Sequence, residues 1–101
     1  MYTVNITTKV DNDILADWLK WQKEMHIPTL METGCFRKYR FHQLLGQDET
    51  DGKVFVLQLI ANTKESNQTF IDKFENKLKN ESFLKWGEKC FEFRSLLQNI
   101  D

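Results

Sequence analysis

The sequence has little of what marks a specialised chain. Its 101 residues include two cysteines, one proline and four glycines, and 14 Lys plus Arg nearly cancel 15 Asp plus Glu, for a formal net charge of −1. With the basic residues spread along the chain, that balance offers no electrostatic footprint for nucleic acid or an anionic membrane. No apolar run approaches the roughly 20 residues that span a bilayer. The opening MYTVNITTKVDND lacks a basic stretch followed by an apolar run, and lacks a small-residue cleavage site. It does not read as a secretory signal, so a reducing, cytoplasmic setting is expected. Cys35 and Cys90 lie far apart and share no ligand spacing with His26 or His42, so no metal site and no cofactor are expected. The Asn-x-Ser/Thr triplets at Asn5, Asn67 and Asn80 are then incidental. Heptads, internal repeats, linkers and low-complexity tracts are likewise missing, which excludes coiled coils and repeat arrays.

What is present is core-forming material, 41% hydrophobic and 13% aromatic. A chain of this length buries about two-thirds of its unfolded surface, enough for a single domain over residues 1–101 and too little for a second. Tyr2 to Val10 alternates, with Tyr2, Val4, Ile6, Thr8 and Val10 on one side and Thr3, Asn5, Thr7 and Lys9 on the other. That is a strand with one buried face. Asp11, Asn12 and Asp13 supply N-cap oxygens for a helix running to about His26. Its apolar residues Ile14, Leu15, Trp18, Leu19, Trp21 and Met25 share a sector of roughly 160° at about 100° per residue. Pro28 disfavours helical geometry at Ile27, so a break or kink is expected there, and Gly34 can close the following short turn of helix as a left-handed cap.

Cys35 to about Gln47 reads as a mixed edge strand. Asp51-Gly52 marks a hairpin, because tight turns demand positive φ. Val54 to Ala61 is apolar on both faces, the pattern of a central strand covered on both sides. Asn62 with Glu65 has capping-box spacing, and Phe70, Ile71, Phe74 and Leu78 give an amphipathic helix over Thr63 to about Lys79. Glu81 to Gly87 reads as a separate short helical turn, and Lys89 to about Asn99 as a last strand with Phe91 and Phe93 on one face and Glu92 and Arg94 on the other. Phe91 and Phe93 are expected in the helix–sheet core with Phe70, Phe74 and Trp18.

The order β-α-β-β-α-β, with right-handed crossovers, gives an α+β ferredoxin-like plait: a four-stranded antiparallel sheet with two helices on one face. The first and third strands are then central. Because the third strand offers large apolar side chains to the uncovered face as well, a homodimer through that open face is expected, burying on the order of 800 Å² per subunit.

The run WLKWQKEMHIPTLMETGCFRKYRFHQLL followed by QDETDGKVFVLQL resembles a bacterial family whose domain has no known function, with a similar Trp-containing helix, His-Ile-Pro turn and Asp-Gly hairpin. Such proteins resemble the dimeric α/β-barrel superfamily, in which two ferredoxin-like sheets pair into a barrel and each subunit keeps a cleft between helices and sheet. The resemblance implies fold and dimer and transfers no reaction. The function expected of such a cleft is the binding of a small molecule by a homodimer, with a cofactor-free enzyme of the small monooxygenase type as its catalytic version.

His26 and Gln22 fall inside the apolar sector of the first helix near its C-terminal end, facing the expected cleft, with Trp18 as an apolar wall. An imidazole there, close to a helix C-terminus, is positioned to titrate near neutral pH as acid, base or ligand anchor. The plainer alternative is a histidine satisfied by local backbone. Trp18, Trp21 and Trp86 can stack on a planar ligand or simply complete the core. Tyr39, with Arg37 and Arg40, can bind an anionic group or merely protect a sheet edge. Cys35 reads as a small buried residue, and Asp48, Glu49 and Asp51 as solubilising turn residues. The competing functional class is a structural or regulatory dimer whose cleft is filled by its own side chains.

Overall fold

The computed structural model describes residues 1–101. The chain runs through β1 (Tyr2–Asp11), a first helix over 15–32, β2 (Lys38–Leu44), β3 (Gly52–Ala61), a second helix over 64–86 and β4 (Cys90–Gln98). The sheet order is β2-β3-β1-β4 with every neighbouring pair antiparallel, so the most apolar strand and the alternating first strand are central, as their patterns require.

Pairing of Val4 with Leu59 and of Ile6 with Leu57 puts the apolar halves of β1 and β3 on the helix side. There they meet Ile27 and Leu30 of the first helix and Phe70 and Leu78 of the second in one core. Each such side chain, once fully buried, contributes about 1.5–3 kcal/mol before entropy is counted. A second cluster joins Val10, Phe55 and Trp18, whose ring centroid lies 5.3 Å from that of Phe55.

Several local expectations change. The helix does not break at Pro28. A five-residue π turn, Gln22–His26, precedes an α-helical segment, Ile27–Glu32, and Pro28 falls in that segment's first turn. Inside a continuous helix proline removes one backbone hydrogen bond to the preceding turn, and here that turn is the irregular π turn. The second helix is likewise continuous to Trp86 through a π turn at Ile71–Glu75, so residues 81–86 are its last turns rather than a separate element, and Gly87 at φ +59° ends it. Its N-cap is Thr63, whose Oγ1 accepts from the Ser66 N–H at 3.1 Å, one residue after the expected Asn62.

The Asp11–Asp13 cluster makes no side-chain cap. Asn12 instead donates to the carbonyls of Glu49 and Thr50, and Asp13 pairs with Lys89 at 2.6 Å. In the hairpin, positive φ belongs to Gly46, at +81°. Gly52 is required for a different reason: a Cβ there would run into the Val10 backbone carbonyl across the β1–β3 pair.

The largest correction concerns β4. Pairing of Thr8 with Glu92 and of Ile6 with Arg94 turns Glu92 and Arg94 toward the helices, while Phe91 and Phe93 lie opposite Lys9 and Thr7 on the open face, each 63% exposed. Because side chains alternate with period two, this phase moves both phenylalanines out of the core and two charged groups under the helices.

Candidate functional site

The first π turn builds the site. The Ile27 N–H bonds to the Gln22 carbonyl, five residues back, so residues separated by five align along the helix where an α-helix would spread them about 140° apart. Trp21 and His26 therefore stack, with centroids 4.5 Å apart and planes 8° from parallel. On its other edge His26 places Nδ1 2.8 Å from Gln22 Oε1. With the amide oxygen accepting, Nδ1 carries the proton and Nε2 is left as an acceptor. Gln22 itself is buried.

Burial first, and the positive charge of Arg94 second, push His26 down to about 4. The imidazole is neutral at physiological pH. The expectation of titration near neutrality is corrected: a ring packed between a tryptophan and a buried amide loses hydration, and because the helix continues to Glu32 no helix C-terminus lies beside it to favour the charged form.

His26, Gln22 and Trp18 converge on a cavity of about 260 Å³ between the first helix, the end of the second helix, β1 and β4; Thr8, Glu92 and Phe83 are among its other walls, with Lys79 and Ser82 of the second helix. A hollow of about 10 Å³ shares the first three and reaches Phe41 and Phe55. That is about the minimum for one water, so the aromatic cluster closes the floor. Trp18 is 2% exposed and stays in the core while it lines the cleft.

Beside the cleft, Arg94 is held by two carboxylates, Nη1 to Glu75 Oε1 at 2.9 Å and Nε to Glu92 Oε1 at 3.3 Å. Glu75 ends the second π turn as His26 ends the first. Irregular turns thus deliver polar groups from both helices toward β4, a use to which π turns are often put. Cys90 also lines the cleft, but burial, with Glu92 and Asp11 adding to it, pushes its thiol up to about 11. It stays protonated and is a poor nucleophile.

Tyr39 is not brought to this site. It pairs with Leu59, on the helix side of β2, at the edge of the sheet opposite β4, and is exposed. Arg40 lies opposite Gln58 on the open face, while Arg37 binds Asn62 Oδ1 at 3.3 Å. Cys35 is buried, and Asp48 accepts from both the backbone N–H and the hydroxyl of Thr50, which fixes the turn. Thr8, Glu92 and Arg94 were missed as site residues. Thr8 carried a signal, a hydroxyl among the apolar residues of an otherwise clean alternation, whereas Glu92 and Arg94 depended on the phase of β4.

No helix is long and apolar enough to cross a membrane, and no group of three or more His, Cys, Asp or Glu is gathered to hold a metal ion. Fold and site together define a ferredoxin-like α+β domain with a cleft on its helix side and a neutral, locked imidazole in that cleft. The chain belongs to the family described as Domain of unknown function (DUF4286), whose model matches residues 1–100.

Among solved structures, a dimeric ferredoxin-like protein from an uncultured marine organism is similar with a TM-score of 0.71 at 14% identity, covering 99% of this chain and 95% of that one. A protein of the ethyl tert-butyl ether d (ethd) family from Bacillus halodurans C-125 gives 0.70 at 14% identity, covering 99% and 100%. A de novo designed protein with ferredoxin fold gives 0.51 at 13%, covering 100% and 89%. At such identities the likeness establishes the fold. No curated protein matches the chain.

Proposed function

We propose that the chain is a cytoplasmic, homodimeric small-molecule-binding domain that takes its ligand in the cleft between helices and sheet. The observation that carries this reading is His26. Its Nδ1 is tied to Gln22 and its face to Trp21, in a cavity of about 260 Å³ that also holds Glu92 and Thr8. A neutral, immobilised acceptor beside a hydroxyl, a carboxylate and an aromatic ring suits a compact ligand carrying a hydrogen-bond donor on an apolar body. His26, Gln22 and Trp18 are the ligand-binding residues in this reading, and Tyr39 takes no part.

The dimer reading rests on the open face. Val54, Val56 and Ile60 of β3 and Phe91, Phe93 and Leu97 of β4 share that side, around a polar centre in which Gln58 donates to Asn5 at 3.2 Å. One structural neighbour is itself described as dimeric. A cofactor-free reaction of the small monooxygenase type is the catalytic version. Against it stands the protonated Cys90 and the engagement of Glu92 by Arg94, which favour a binding or regulatory dimer without catalysis.

Trp18, Trp21 and Trp86 all surround this region, so tryptophan fluorescence reports occupancy. A screen of small neutral donor-bearing molecules is expected to yield a saturable fluorescence change that His26→Ala abolishes without loss of fold, and light scattering is expected to give twice the monomer mass. A monomer at micromolar concentration overturns the dimer. A cleft that no probe enters leaves the regulatory reading in place of the binding one.

A further inference from the structure

A second cavity, of about 130 Å³, lies on the far side of Arg94, between the second helix and the edge of β4. Its apolar floor is Val4, Phe70 and Leu96, and its polar wall is Asn67, Glu75 and Arg94. Asn67 is 4% exposed, and its buried Oδ1 has no hydrogen-bond partner. Buried amides are normally paired, and one that is not calls for an explanation. Neither end of this amide bonds within the chain, so a half rotation exchanges Oδ1 and Nδ2 with no protein hydrogen bond lost.

The charges decide what the cavity accepts. The Arg94 guanidinium is taken by Glu75 Oε1, on a largely buried side chain, and by Glu92 Oε1, on an exposed residue, so the three groups sum to one negative charge. An anion would have to displace a carboxylate. A cation meets acceptors without partners, the second oxygen of Glu75 and, once that half rotation turns the amide, the oxygen of Asn67, whose Oδ1 otherwise lies buried behind Nδ2. We propose that this cavity is a binding site for a small primary ammonium with a short hydrocarbon tail, the head between Glu75 and Asn67 and the tail on Phe70 and Leu96. The site is separate from the cleft at His26, with which it shares the Arg94–Glu92 pair as a wall.

The test is a nuclear magnetic resonance titration of the full chain with n-butylammonium chloride, and with n-butanol as the probe of equal tail and no charge. Saturable shifts are expected at the Asn67 side-chain amide and the Ile71 and Leu96 methyl groups, with affinity at least tenfold higher for n-butylammonium than for n-butanol. Glu75→Gln is expected to erase that difference, and Asn67→Leu, which keeps the ion pair while it removes the amide and narrows the cavity, to abolish both titrations. Equal affinity for the two probes overturns the proposal, as does the absence of saturable shifts or n-butylammonium binding that survives Asn67→Leu. If Glu75→Gln loses the dispersed spectrum of a folded chain, the comparison of probes on the unaltered protein and Asn67→Leu decide the matter.

Discussion

Trp21 and His26 lie five residues apart in sequence and face to face in space, with ring planes 8° from parallel. An unbroken α-helix cannot bring such a pair together, so the stack is a direct consequence of the π turn that holds Gln22 to His26. The same turn keeps Gln22 within 2.8 Å of the imidazole, and the two contacts fix the ring in both orientation and tautomer.

A pH dependence follows from that burial. His26 titrates at about 4 in the fold against an ordinary 6.5. Between those values the unfolded chain binds the proton and the folded chain does not, so stability falls as pH drops from about 6.5 to about 4 and the slope vanishes below. At about 1.4 kcal/mol per unit of pKa the full effect is at most about 3.5 kcal/mol. Urea unfolding across this range is expected to show the slope in the native chain and to lack this component in His26→Gln. An imidazole carbon shift moving with a midpoint near 6.5 in the folded protein would contradict it.

The cap of the second helix separates two adjacent residues. Thr63 Oγ1 accepts the Ser66 N–H, whereas Asn62 meets only the exposed Arg37 side chain. Thr63→Ala is expected to destabilise by about 1 kcal/mol. Asn62→Ala is expected to stay within about 0.5 kcal/mol of the native chain in the same chemical denaturation measurement.

Two glycines, Gly46 in the β2–β3 connection and Gly52 at the start of β3, differ in kind. Gly46 has positive φ and open space around its missing Cβ, so Gly46→Asn is expected to be tolerated. Gly52 sits against the Val10 backbone, which cannot swing aside as a side chain can. Gly52→Ala is expected to destabilise by about 2 kcal/mol or more and to weaken amide protection at Val10 and Asp11 in hydrogen exchange.

The plait was legible because β1 and β3 state their roles plainly. Alternation from Tyr2 to Val10 and the two-sided apolar run from Val54 to Ala61 leave one economical sheet order, and the fold adopts it. His26, Gln22 and Trp18 were legible as cleft residues because they lie on the apolar stripe of one helix. Features that depend on register were not. The phase of β4 is set by its pairing with β1, and its sequence alternates Phe with Glu and Arg, so either face satisfies a local pattern. The π turns were hidden because a wheel at a fixed angle per residue presumes the regularity that they break. The N-cap passed from Asn62 to Thr63 because both carry a suitable oxygen, and the backbone path chose between them.

The open face gives the last prediction. Phe91 and Phe93 stand edge to face, 4.9 Å between centroids, each 63% exposed on an edge strand, and neither supports the helix–sheet core of its own subunit. If that pair lies in the proposed dimer interface, Phe93→Lys places a charge where aromatic surface should be excluded from water, and like charges from both copies meet across a two-fold axis. The variant is then expected to scatter light as a monomer at concentrations where the native chain is dimeric. Its melting temperature is expected to lose its dependence on protein concentration, because association no longer stabilises the fold by mass action. A Phe93→Lys chain that remains dimeric places the interface elsewhere, and Leu44→Lys at the opposite edge of the same face then tests whether the sheet is used at all.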